Sequence, residues 1–195
     1  MGKIFCVMGK SSSGKDTIYE MLLKESELNL KRIIPYTTRP IREGEVEGRE
    51  YHFCTAEDVE RLEAEGKIVE LRTYHTVYGP WHYFTVNDGN IQLEKENYIV
   101  IGTVEAYTKM RDYFGVGKVL PIYIEVEDGE RLMRAIGRER SQDVPKYEEM
   151  CRRFLADAKD FSEENIKAAE IELRFPNIKL DDTFENVATY IKNNL

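Results

Sequence analysis

Residues 8–17 read MGKSSSGKDT, and the fold follows from them. Gly9 and Gly14-Lys15 have the spacing G-x-x-x-x-G-K, in which glycines let backbone N–H groups turn inward around phosphate oxygens. The context on both sides fits. Lys3–Met8, KIFCVM, is an apolar run ending at the first glycine, which predicts a buried strand. KDTIYEMLLKES then places Ile18, Met21, Leu22 and Leu23 on one helical face. Strand, glycine loop and helix together predict a triphosphate site over Gly9, Lys10, Ser11, Ser12, Ser13, Gly14, Lys15, Asp16 and Thr17. Lys15 would reach the terminal phosphates, and the helix N-terminus adds a favourable dipole.

Asp16 is the odd residue, because this position normally carries the hydroxyl that meets magnesium. A carboxylate is a good oxygen ligand for a hard cation, so Asp16 is a candidate ligand for Mg2+ travelling with ATP. The alternative is that Asp16 caps the helix.

The remaining sequence sets the class. A chain of 195 residues, 42% hydrophobic and 33% charged, suggests one domain with smaller inserted lobes. A net charge of −8 argues against nucleic acid or an anionic membrane as the main partner. Cys6, Cys54 and Cys151 are odd in number and lack ligand spacing, which reads as reduced thiols of a cytoplasmic protein. KIFCVM is too short for a signal peptide or a spanning helix, and Cys6 stands where a myristoylation motif wants Ser or Thr.

Further along, TAEDVERLEAEGK predicts a helix capped by Thr55 and ended by Gly66. KIVELRTY and VYGPWHYFTV predict paired strands. NYIVIGT and VLPIYIEV are two more strands, flanking a helix near Val104–Tyr113. DGERLMRAIGRER and PKYEEMCRRFLADAKDF predict helices, the second with Pro145 in its first turn. EIELRF predicts a strand and TFENVATYIKNN a last helix. Strands alternating with helices predict an α/β fold with a mainly parallel sheet.

The stretch YTTRPIREGEVEGREYHF holds a second anion site. Two arginines three apart on an irregular loop, with a tyrosine nearby, can grip a dianionic phosphate by forked hydrogen bonds. Thr37, Thr38, Arg39, Arg42, Gly44, Glu45, Gly48, Tyr51 and Phe53 stand in register with T-T-R-x-x-R-x-G-E-x-x-G-x-x-Y-x-F. In this the chain resembles the guanylate kinase family, from Lys3 to about Phe154 by motif and to the end by element order.

The resemblance implies a three-layer P-loop NTPase-type core (1–33, 89–133 and 151–195), an acceptor-binding lobe near 34–88 and a helical lid near 134–150. It implies transfer of phosphate from ATP to GMP, with Mg2+ as cofactor, in a monomer or homodimer. It assigns the acceptor phosphate to Arg39, Arg42, Tyr51 and Tyr78 and guanine to Glu70, with Thr103 also among the acceptor-binding residues. Arg134 falls to ATP. Arg138 or Arg140, together with Arg153, would neutralise the transferring group beside Lys15.

The chain also departs from the family pattern. Pro35 and Pro80 replace hydroxyl residues, and Ile101 and Thr103 replace acidic ones. Each missing donor or acceptor lowers discrimination of the base. Trp81 and His82 could stack on a base or pack the lobe. Asp16 could supply the carboxylate lost from the strand, with Glu105 a weaker candidate. Two other readings are a sugar-phosphate kinase of the ribose 1,5-bisphosphate type and a phosphopeptide-binding module without activity.

Overall fold

In the computed structural model, which describes residues 2–42, 44–76 and 79–195, strand β1 (Ile4–Met8) is buried along its whole length. Its side chains alternate between two cores. Ile4, Cys6 and Met8 face one cluster with Val104, Tyr107 and Met110. Phe5 and Val7 face the other, with Ile18, Leu22, Val187 and Ile191. A strand covered on both faces needs apolar residues throughout, and KIFCVM supplies them.

β1 pairs in parallel with β7 (Asn97–Ile101) and β8 (Val119–Glu125). β2 (Leu30–Arg32) and β9 (Arg174–Pro176) complete a five-stranded sheet of order β2-β7-β1-β8-β9, parallel in every pairing. Helices α1 (Lys15–Lys24) and α7 (Leu180–Lys192) supply one cover. Helix α3 (Val104–Phe114) and α6 (Glu163–Ala168) supply the other. The parallel sheet expected from the alternation of elements and the three layers that the resemblance implies are both present.

A second sheet of four strands forms the lobe, ordered β4-β3-β6-β5. It contains β3 (Tyr36–Thr37), β4 (His52–Phe53), β5 (Ile68–Thr76) and β6 (Gly79–Val86). Helix α2 (Ala56–Ala64) lays Val59 and Leu62 against Phe84 and Val86. Each such side chain contributes roughly 1.5–3 kcal/mol by leaving water. α2 starts at a capping box: Asp58 N donates to Thr55 Oγ1 (3.3 Å) and Thr55 N to Asp58 Oδ2 (3.0 Å).

Helix α4 runs Asp128–Arg140, the residues expected, and α5 runs Tyr147–Asp160. Pro145 precedes the cap Lys146, so it lies outside α5 and not in its first turn. Helix α6 was not foreseen; Ser162 caps it, accepting from Asn165 N, and it buries Ile166. β9 is shorter than EIELRF, because Glu170 takes a left-handed turn at φ 58° and delays the extended run. On α1 the buried residues are Ile18, Tyr19 and Leu22, with Met21 and Leu23 at the margins.

Candidate active site

The loop between β1 and α1 needs its glycines for space. A Cβ on Gly9 would stand 2.5 Å from the Ile124 carbonyl oxygen. Gly14 has φ 84°, and a Cβ there would meet Asn177 Nδ2 at 2.4 Å. That amide donates to the Ser13 carbonyl at 2.8 Å, so the loop is braced from the end of β9. The hydroxyls of Ser12 and Ser13 are buried with no partner among the described residues. An unsatisfied buried hydroxyl costs about 1–3 kcal/mol, and a phosphate oxygen would remove that cost.

Lys15 Nζ lies 2.9 Å from Asp16 Oδ2, and the Asp16 side chain is 73% exposed. The N-cap of α1 is Gly14, with no side-chain cap bond, so Asp16 does not cap the helix. Thr17 is exposed beside it.

Sequence reasoning missed the clamp on Ser11. Its N–H donates to Asp157 Oδ2 (2.7 Å), and its carbonyl accepts from Arg131 Nη1 (2.9 Å). Arg131 is fully buried against Asp128 (2.7 Å) and the Phe154 ring (4.7 Å). Its three-residue spacing from Asp128 was the readable signal. Lys10 is drawn aside to Asp128 at 3.1 Å. Beside the loop a cavity of about 680 Å³ is lined by Lys10, Tyr123, Arg134, Pro176 and Ile178. Arg134 Nη2 donates to the Asn177 carbonyl (3.3 Å), so it bridges α4 to the end of β9 at the edge of this cavity.

In the lobe, Arg39 is 4% exposed and gives both Nη groups to Glu45 (2.7 and 2.6 Å). Its guanidinium lies 5.0 Å from the Tyr51 ring centroid and 5.5 Å from that of Phe53. The Arg39 hydrogen bond holds the Glu45 carboxyl below the ordinary carboxylate range, against the opposing effect of burial. Burial pushes the Tyr51 hydroxyl up. Arg42 is exposed, so Arg39 and Arg42 do not form one open fork. Thr37 and Thr38 hydroxyls tie this loop to the main chain of His82 (2.9 Å each).

Glu70 is buried and already bound. It accepts from Arg72 Nε (2.9 Å), Arg72 Nη2 (3.2 Å) and Thr85 Oγ1 (3.0 Å). Arg72 Nη1 reaches Thr103 Oγ1 at 3.4 Å, joining the lobe to the end of the core sheet. Arg72 was not foreseen, although two residues apart on one strand puts it on the same face as Glu70. Thr103 caps α3, accepting from Ala106 N (3.2 Å). Glu105 pairs with Lys109 (2.7 Å). Tyr78 lies outside the described residues.

The arginines divide in a telling way. Of the 14 in the chain, ten make ion pairs with described residues. The four that make none with described residues are Arg42, Arg138, Arg140 and Arg153, all exposed. Each had been singled out for a phosphate. Arg152 holds the Glu149 carboxyl below its ordinary range, with smaller contributions from Arg153 and Arg42.

The family model described as Guanylate kinase matches residues 1–194. A guanylate kinase of Porphyromonas gingivalis is 33% identical over 126 residues, which span 64% of this chain and 65% of that relative. One of Cupriavidus pinatubonensis is 26% identical over 98% of this chain and 82% of its own length. The crystal structure of guanylate kinase from Anaplasma phagocytophilum superposes with a TM-score of 0.69, covering 98% of this chain and 85% of that one. At 20% identity that likeness speaks to the fold alone. With a family model spanning nearly every residue, laid over a phosphate loop and an arginine-bearing lobe, this chain belongs to the guanylate kinase family.

Proposed function

We propose that the chain transfers the γ-phosphoryl group of ATP to GMP, giving GDP and ADP. The observation that carries this reading is the set of unpaired arginines. Arg42, Arg138, Arg140 and Arg153 have no carboxylate partner among the described residues, while the others do. Four guanidiniums without an ion pair among the described residues, in a chain of net charge −8, suit an anionic ligand.

ATP would lay its phosphates along Gly9–Thr17, with Ser12 and Ser13 donating to them and Lys15 turning from Asp16 to the terminal groups. Its nucleoside fits the cavity beside Arg134 and Ile178. Arg39, Arg42, Tyr51 and Tyr78 would hold the acceptor phosphate. An oxygen of that phosphate attacks the γ-phosphorus, and the bond from it to the β-phosphate oxygen breaks. The acceptor oxygen carries no proton at neutral pH, so no base is required. The protein positions the reactants and neutralises charge, the part given to Arg138, Arg140 and Arg153.

The fit of Mg2+ rests on Asp16. Among the described residues no group of three or more His, Cys, Asp or Glu forms a cation cage. An exposed carboxylate next to Lys15 suits an ion that arrives on phosphates and keeps its water. When bound, the ion neutralises developing phosphate charge. The reduced thiols Cys6, Cys54 and Cys151 accord with a cytoplasmic setting.

ADP release measured with ATP–Mg and, separately, GMP, a ribose bisphosphate and no acceptor tests the reading. GMP-dependent turnover is expected. Turnover on the sugar phosphate alone, or on no acceptor, overturns it.

A further inference from the structure

The pair formed by Glu70 and Arg72 changes what the acceptor cleft can read. Both carboxylate oxygens of Glu70 are engaged: Oε2 by Arg72 Nε, and Oε1 by Arg72 Nη2 and Thr85 Oγ1. The Glu70 side chain is 1% exposed and that of Arg72 11%, so the arginine is the more accessible member of the pair. Thr103 Oγ1 accepts from Arg72 Nη1 and from Ala106 N, which leaves its own hydrogen to donate. Of the two further Arg72 N–H groups, one is engaged by the Tyr74 hydroxyl, which leaves one to donate. Ile101 next to them is apolar and packs toward α1. This corner of the lobe therefore offers donors, and its carboxylate is buried with three hydrogen bonds already accepted.

Base chemistry decides what fits such a corner. The purine edge that accepts hydrogen bonds is O6 with N7 in guanine, the pair that an arginine reads best. The 2-amino group is a donor and needs an accessible acceptor, whereas the Glu70 side chain is 1% exposed and already accepts three hydrogen bonds. Hypoxanthine keeps O6 and N7 and lacks the 2-amino group. Adenine puts a donor where O6 would be, against a guanidinium that can only donate.

Resting on the kinase reading above, we propose that Arg72 is a specificity-determining residue that makes the acceptor site read 6-oxopurine monophosphates through O6, with little regard for the 2-amino group. Arg72 does this by occupying Glu70 and presenting an N–H group in its place. Because the pair is anchored to Thr103, its position is fixed before the acceptor arrives.

The test is kcat/KM for GMP, IMP and AMP with ATP–Mg. The expected values for GMP and IMP lie within about fivefold of each other, with AMP at least about 100-fold poorer. Arg72→Met frees the oxygens of Glu70, and the GMP:IMP ratio should rise at least about tenfold. Should that variant not fold, Glu70→Gln/Arg72→Met removes both charges together. In the double variant, rejection of AMP relative to IMP should fall at least about tenfold. A wild-type GMP:IMP ratio above about 100 overturns the proposal and leaves the kinase reading standing. So does a folded Arg72→Met with the wild-type ratio, or a double variant that rejects AMP as before. Phosphorylation of none of the three nucleotides overturns the kinase reading, and this one with it.

Discussion

The loop at Gly9–Gly14 is shaped by main chain, whereas the lobe around Arg39 is shaped by charged side chains that already hold one another. On the loop side, two glycines admit Ile124 and Asn177 to within 3 Å of where a Cβ would be, and two serine hydroxyls wait without partners. On the lobe side, Arg39 sits in the grip of Glu45, and Glu70 in that of Arg72. A backbone site has one shape whatever the ligand. A side-chain site can be rewired by one substitution, and the Glu70–Arg72 pair is a place where one change would do so. The difference teaches that, on the proposed reading, donor recognition in this chain rests on backbone geometry and acceptor recognition on side-chain pairing.

The largest effects should come where an open cation meets the transferring group. Arg153→Ala should lower kcat by about 10³-fold with the fold intact, while Arg152→Ala, whose guanidinium is held by Glu149, should lower it far less. Steady-state kinetics on the two variants checks this, and equal losses would erase the distinction between open and held arginines.

Next is the pairing itself. Glu45→Ala strands the buried Arg39 charge and should cost the lobe about 3 kcal/mol. Trp81, the single tryptophan, lies on β6 and reports the lobe, so its fluorescence in urea should shift to lower denaturant than far-UV circular dichroism. Coincident shifts would mean that lobe and core unfold as one unit.

On the loop side, Gly14→Ala meets both a left-handed φ of 84° and the Asn177 amide. The expected cost is about 1–3 kcal/mol, with ATP affinity falling about tenfold by calorimetry. The same change at Gly44, with φ 82° but open space around it, should leave ATP affinity alone.

Acid should separate the regions further. The Glu45 carboxyl is held below its ordinary value of 4.5 by Arg39. The unfolded chain therefore takes up a proton first, so this stabilisation is complete above that value and lost as pH falls through the depressed one. Trp81 fluorescence on acidification should change in that window in the wild type, and the transition should lose this component in Glu45→Gln.

The smallest effect concerns thiols. Burial pushes Cys6 up to about 12 and Cys54 up to about 11. Iodoacetamide should label exposed Cys151 at once, and in rising urea Cys54 before Cys6. Mass spectrometry of the labelled peptides gives the order.

What could be read from sequence follows the same division. α4 was legible to the residue and the strand before the glycine loop to within one, because a dense helical pattern and an unbroken apolar run are local signals. Thr55 and Asp58 announced their capping box. The positions of Arg39, Arg42, Arg138, Arg140 and Arg153 were legible as types, but not their states. That Arg39 is held while Arg42 is open depends on Glu45 folding back, which no periodicity encodes. Arg131, Asp157 and Asn177 were missed because they act on the loop across 120, 146 and 164 residues of chain. Helix α6 was missed because its six residues bury little beyond Ile166.

Asn177 carries one more consequence. The residue that steadies Ser13 is made long after it, so on a nascent chain the nucleotide cradle stays unfinished until the polypeptide has grown past position 177. A ribosome-tethered fragment ending before that point should compact around β1 yet fail to retain a triphosphate. Maturation of the cradle is then a late event in the life of the molecule, although its signature is written in the first twenty residues.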